Sequence, residues 1–196
     1  MTNPIVHGFR NLARFSGRDR RGRFWPYAAV VLGLVFGVMS IGMAIVMGDV
    51  FTEMQQFAEA HPEAATVHSA PGSGSIEIDG SHPDAPVPDL DGFFINLGLC
   101  VLGAIGLLAA AVSRRLHDSG RSALWGLLPV PCLLFGIGVF PVMMDSMMAA
   151  EGPDFRPFLL LFANNMIYLV ALGTLVVLLS LPTARGPNRH GDEPAP

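Results

Sequence analysis

Three short polar segments carry the residue types that could do chemistry. The first, Arg114-Arg115-Leu116-His117-Asp118-Ser119-Gly120-Arg121, sets three guanidinium groups, an imidazole and a carboxylate side by side. The second, Phe15-Ser16-Gly17-Arg18-Asp19-Arg20-Arg21-Gly22-Arg23-Phe24-Trp25, adds Arg18 and Arg21. The third, Gly186-Pro187-Asn188-Arg189-His190-Gly191, adds Asn188. Guanidinium groups are planar donors suited to phosphate or carboxylate. Arg18, Arg21, Arg115 and Arg121 are therefore candidate anion-binding donors. Asp118 could instead hold one of these arginines, or orient His117. With His117 as general base, the cluster would act on a lipid head group. Sequence neighbours do not face each other on a helix, however, so the pair needs a suitably bent turn. No serine-nucleophile, metal-triad or phosphate-loop motif accompanies it.

Two other sets of residues have ligand chemistry. His61, His68 and His82 share an acidic stretch, and imidazole and carboxylate are ligands for zinc and copper. Their spacing matches no closed site, so no metal and no cofactor is assigned. Cys100 and Cys132 lie in apolar runs without a CxxC partner and read as small hydrophobes.

The elements that position these groups are written in hydropathy. Half of the chain is apolar and only 14% is charged, below the usual level for a soluble domain. Residues 24–48, 93–113, 122–144 and 157–184 contain no charged side chain. Each run reaches the roughly 20 residues needed to cross a bilayer as a helix. Helix is the local solution because lipid satisfies no free backbone group. The expected fold is all-α: a polytopic membrane protein of four transmembrane helices in one domain, residues 1–196. The first run is too long for a signal-peptide core and reads as a retained anchor. None of the four runs contains a histidine either, which argues against proton-coupled transport. Asn164 and Asn165 are the polar residues most costly to leave unpaired there, and interhelical hydrogen bonding is the expected remedy. Gly33 and Gly37 form a GxxxG pair, with Gly106 and Ala110 a weaker one; both are candidate helix contacts. Pro129 and Pro131 should bend the third span near its start. Trp25 and Trp125 suit interfacial belt positions.

Charge sets the direction. All twelve basic residues are arginine, and eleven fall in residues 1–23, 114–121 and 185–196. Residues 49–92 carry nine acids and no arginine. Arginine marks the cytoplasmic side, which predicts both termini inside, with 49–92 and 145–156 as external loops. In the longer loop, Phe51, Met54, Phe57 and Ala58 recur at helical spacing, so the first helix is expected to continue into an amphipathic stretch. From Ala65 the composition turns to Pro, Gly, Ser and Asp, including Pro71, Pro83, Pro86 and Pro88, and reads as a flexible loop. Arg114 and Arg115 complement the end of the second helix, Asp118-Ser119-Gly120 forms a turn, and Ser122 caps the third span. The basic N-terminus is accounted for by the membrane, and nucleic acid is not an expected partner.

The three polar segments resemble the motifs of a bacterial inner-membrane family, domain of unknown function 805 (YhaH-like). These are an F-x-G-R-x-x-R-x-x-F-W opening, an R-R-L-H-D-x-G-R-S hairpin and a G-x-N-x-x-G tail. All three occur here in order, each beside a span. The resemblance implies a small multi-pass protein of the inner plasma membrane and no particular reaction. This chain departs from the pattern at Ser122-Ala123-Leu124-Trp125, where Ser-Gly-Trp-Trp is usual, and at His190, where an aromatic is usual. Its first external loop is also unusually long. A topology signal alone does not require Gly17, His117, Asp118, Gly120 and Asn188. Three readings of the cluster (Arg18, Arg21, Arg115, His117, Asp118, Arg121, Asn188) stay open: an anion site for a head group or phosphorylated molecule, an internal salt-bridged lock, and topology alone. The leading function is a non-enzymatic scaffold in the lipid bilayer, contacting anionic lipids and either a membrane-protein partner or copies of itself. A lipid-directed interfacial enzyme and a subunit of an oligomeric transporter or channel are the rivals.

Overall fold

The computed structural model describes residues 3–70, 73–86, 91–147, 152 and 154–193. The order is α1 (Pro4–Arg10), α2 (Arg21–Ala60), β1 (Ala65–Ala70), β2 (Ser73–Ile78), α3 (Asp91–Asp118), a 3-10 turn (Ala123–Leu127), α4 (Val130–Met147) and α5 (Arg156–Ser180). Four helices are long and apolar enough to cross a membrane: Arg21–Ala60, Asp91–Asp118, Ala123–Met147 and Arg156–Ser180. The apolar runs thus became the long helices, with shifted ends. α2 starts at Arg21 and runs unbroken to Ala60, so the amphipathic continuation is part of one helix. No proline interrupts residues 27–60, and Met54 and Phe57 keep the helical spacing. α3 continues through Arg114 and Arg115 to Asp118, which shortens the connecting turn expected over 114–121.

The third span breaks where its prolines predict. A 3-10 turn capped by Ser122, whose Oγ accepts from Leu124 N at 3.3 Å, precedes Pro129; α4 then begins with Pro131 at its second residue. Pro131 fits there because first-turn amides have no intrahelical acceptor. α1 was not foreseen. Asn3 caps it by accepting from Ile5 N at 2.9 Å, and Pro4 opens its first turn.

The chain forms two compact units, Met1–Phe36 with Gly98–Pro196, and Gly37–Leu97. In the larger unit the buried apolar cluster joins Phe24, Tyr27, Ala28 and Val31 of α2, Ala111 and Leu116 of α3, and Leu175, Leu178 and Leu179 of α5. Tyr27 donates to Leu107 O at 2.7 Å, and its ring takes Phe9 edge-on at 5.3 Å. Gly8 of α1 lies against the same ring: a Cβ there would fall 2.1 Å from it, so only glycine lets α1 dock. α4 and α5 pack together, and Asn164 donates to Cys132 O at 2.9 Å across them. That is the expected interhelical bond. Cys100 and Cys132 form no disulfide.

In the smaller unit the expected flexible loop is corrected. β1 and β2 pair antiparallel, from Ala65 opposite Ile78 to Ala70 opposite Ser73. Thr66, Val67, Ile76 and Ile78 are β-branched, and that preference prevails over the Gly-Ser composition. Pro71 and Pro88 lie outside the described residues. The GxxxG expectation is also corrected within the chain. A Cβ on Gly33 or Gly37 would meet nothing within 4 Å, whereas one on Gly42 would fall 2.4 Å from the Asn96 amide. Helical spacing shows that two glycines share a face, not that a neighbour occupies it.

Candidate functional site

The polar cluster is assembled at the ends of helices. α3 delivers Arg114, Arg115 and Asp118 from its last turn, three and four residues apart and so on adjoining faces. The extended segment before α2 delivers Arg18 and Asp19. The chain leaving α5 supplies carbonyl oxygens and Thr183.

Asp118 is the hub. Its side chain is 0% exposed. One oxygen accepts from Arg18 Nε at 3.3 Å; the other accepts from Arg115 Nη1 at 2.6 Å and Thr183 Oγ1 at 2.7 Å. Arg18 gives its remaining donors to backbone: Nη1 to Gly186 O at 2.8 Å and Gly191 O at 3.3 Å, Nη2 to Ala184 O at 2.6 Å and Asp118 O at 3.4 Å. Arg115 donates to Leu179 O at 2.8 Å and to Leu181 O. Arg21 donates to Ser180 O at 3.3 Å. Arg115 and Arg21 thereby cover the carbonyls that α5 leaves unpaired at its negative end.

A second pair adjoins it. Arg114 Nε meets Asp19 Oδ2 at 2.6 Å, Nη1 donates to Asn11 O at 2.8 Å and to Arg14 O, and Asp19 N donates to Arg114 O at 3.2 Å. The other Asp19 oxygen faces His7 Nε2 at 3.0 Å. Three buried arginines therefore face two buried aspartates. The excess positive charge rests on backbone carbonyls, which are its principal solvation once water is gone.

The tail is tied to the same end. Asn188 Nδ2 donates to His117 O at 3.0 Å, and Asn188 pairs with Gly191 in an isolated bridge. His190 lies flat on His117, with ring centroids 3.7 Å apart and planes within 7°. Gly17, Gly120, Gly186 and Gly191, one or two from each motif, have φ between +73° and +124°. Gly191 shows why: at φ +124° its carbonyl turns to accept from both Arg18 and Asn188, a conformation closed to β-branched residues.

Of the seven expected residues, Arg18, Arg115 and Asp118 meet directly, Arg21 caps α5 beside them, and His117 and Asn188 join through the tail. Arg121 makes no ion pair among the described residues; its backbone N–H closes the turn onto Leu116 O at 2.9 Å, and its Nε is buried without a partner. Asp118 turns its oxygens to arginine and threonine rather than to His117, so a carboxylate-oriented base is not formed. His7, Asp19 and Thr183 were not expected at this site, and Arg114, expected only to complement the end of the second helix, joins it through Asp19. Asp19 is one acid among six arginines, and nothing in its spacing points to Arg114.

His190 is a pH-dependent element. Burial, then the charges of His117, Arg189 and Arg18, hold its pKa below the usual histidine value. Arg189 Nε donates to its Nε2 at 3.0 Å, a bond that protonation removes. An unfolded chain takes up this proton near pH 6.5 while the folded chain resists it, so stability should fall as pH drops below about 6.5. Burial also lowers the pKa of His117, which adds to the same slope, so His190→Phe should keep the stack and reduce the slope below about pH 6.5 without abolishing it, measured by thermal unfolding in detergent. An unchanged slope would place the titration elsewhere.

The family described as "Protein of unknown function (DUF805)" matches residues 12–192. No curated protein and no solved structure matches the chain. The chain belongs to this family, whose match spans all three motifs.

Proposed function

We propose that this DUF805 member is a non-enzymatic scaffold of the bacterial inner membrane, four spans with both termini in the cytoplasm, that self-associates through α5. The polar cluster is its internal lock. The topology is supported by the arginine distribution, and by Arg18, Asp118 and Ala184 meeting in one cluster although they precede the first span, end the second and follow the fourth. The lock reading is supported by donors already spent: all five N–H groups of Arg18 have protein acceptors. Contact with anionic head groups then falls to the exposed Arg10, Arg14, Arg21, Arg185 and Arg189.

One observation carries the association. Asn165 lies inside α5, is exposed, and among the described residues has no hydrogen-bond partner. Its neighbours Phe162, Met166 and Leu169 are exposed too. An amide facing hydrocarbon lacks acceptors, and a second copy of the same helix offers the matching amide across a two-fold axis. The bond contributes about 0.6–2 kcal/mol per contact. Donor- and acceptor-labelled protein mixed in liposomes should show energy transfer that dilution with lipid reduces. Asn165→Leu should weaken the association several-fold while leaving the fold intact. Transfer unchanged in Asn165→Leu sinks the α5 face. Absence of self-association, with a different membrane protein captured by wild type and lost in Asn165→Leu, would replace the partner.

A further inference from the structure

In the smaller unit, the β-hairpin brings together side chains far apart in the chain. α2 ends at Ala60, and His61 follows with its N–H still bonded to Phe57 O at 2.8 Å. A turn closed by Ala64 N to His61 O, 3.0 Å, carries Glu63. The hairpin returns, and Asp79 N bonds to Ala64 O at 2.8 Å, beside the start of β1. Asp79 then shapes the next turn by accepting from Ser81 N and Ser81 Oγ, and its carbonyl accepts from His82 N at 3.1 Å. His82 is thereby placed over His61, with ring centroids 4.6 Å apart. Both rings rest on the buried Phe57, at 4.9 and 5.5 Å.

We propose that His61, Glu63 and His82 bind one divalent transition-metal ion of the zinc class, leaving a fourth position open. One ligand atom from each of the three residues lies within 4.8 Å of the others. His61 Nδ1 and Glu63 Oε1 are 3.3 Å apart. With metal–ligand bonds near 2.0–2.1 Å, a tetrahedral site has ligand–ligand edges of about 3.3–3.4 Å. One edge is thus formed, and small side-chain rotations close the others. Two imidazoles with one carboxylate suit zinc and its late first-row neighbours, whereas calcium and magnesium require oxygen ligands throughout. The nine acids of residues 49–92 attract cations to this surface. A bound ion would pin the hairpin turn to the end of α2, coupling metal to local folding. His68, on β1, stands outside the group.

The test uses the full chain in detergent with a histidine-free tag, stripped of metal. Zn(II) is titrated in competition with a chromophoric zinc indicator. One equivalent should bind at micromolar concentration. His61→Ala and His82→Ala should each weaken it by roughly tenfold or more, Glu63→Gln should weaken it by less, and His68→Ala should leave it unchanged. In wild type, Zn(II) should protect His61 and His82, but not His68, from diethylpyrocarbonate, a measurement that depends on no variant. Failure of wild type to compete, affinity retained in a His61→Ala/His82→Ala double variant, or equal protection of all three histidines would each overturn the site. None of these readouts depends on self-association through α5.

Discussion

Asp118→Asn should be the most damaging single-atom exchange in this chain. The carboxylate lies between two guanidinium groups whose side chains are 1% and 0% exposed. The amide removes the charge that both arginines share. It also turns an NH2 group toward at least one of them, donor against donor. Breaking a buried pair from one side costs about 3–5 kcal/mol, because the partner's charge stays behind without compensation. For a chain of this length, that corresponds to a fall in unfolding temperature on the order of 10 °C. The second variant separates charge from shape. Arg18→Gln combined with Asp118→Asn restores the original net charge of the triad, so the pair should lose less than the two single losses added, with a coupling of about 0.5–3 kcal/mol. Thermal unfolding in detergent measures both. Strict additivity, or an Asp118→Asn protein that melts with wild type, would mean that the cluster is not the lock.

The cluster also shows where legibility stopped. Residue types exposed Arg18, Arg115 and Asp118, because arginines and one acid beside a turn stand out against apolar runs. They did not expose the acceptors. Leu179, Leu181, Ala184, Gly186 and Gly191 contribute carbonyl oxygens, which every residue has. Such partners depend on where the chain turns after α5. For the same reason the sequence left an anion site and a lock open: the donors were legible, their occupancy was not. The four apolar runs were legible because bilayer crossing is a property of composition over a long window. The hairpin was not, because Gly-Ser composition obscured a short β-branched alternation at Ile76 and Ile78. His61 and His82 meet only because that hairpin folds back on the end of α2, which the spacing of two histidines in sequence does not show.

The remaining large effect concerns α1, the short helix that Asn3 and Pro4 open. Asp19→Asn should release the N-terminus while the helical bundle stays folded. Asp19 joins Arg114 of α3, 4% exposed, to His7 of α1. Arg114 in turn holds the chain after α1 through Asn11 O and Arg14 O. Loss of the carboxylate charge leaves Arg114 buried with carbonyls alone, and hydration of that guanidinium requires α1 to move away from it. The cost of keeping the segment docked then approaches that of a broken buried pair, about 3–5 kcal/mol. The Gly8–Tyr27 and Phe9–Tyr27 contacts, Leu12 against the core and the Ser113 Oγ bond to Phe15 O at 3.0 Å oppose release. Amide exchange over residues 5–14 should accelerate by roughly a hundredfold or more, and trypsin should cut at Arg10 and Arg14. Residues 107–118 and 171–180 should keep their protection, since the triad around Asp118 is untouched. Uniform loss across all helices would show instead that α1 folds as one unit with the bundle. Unchanged exchange would show that these other contacts hold it without the carboxylate. Either outcome would remove Asp19 from its assigned role, whereas selective release would identify Asp19 and Arg114 as a clasp distinct from the Asp118 lock.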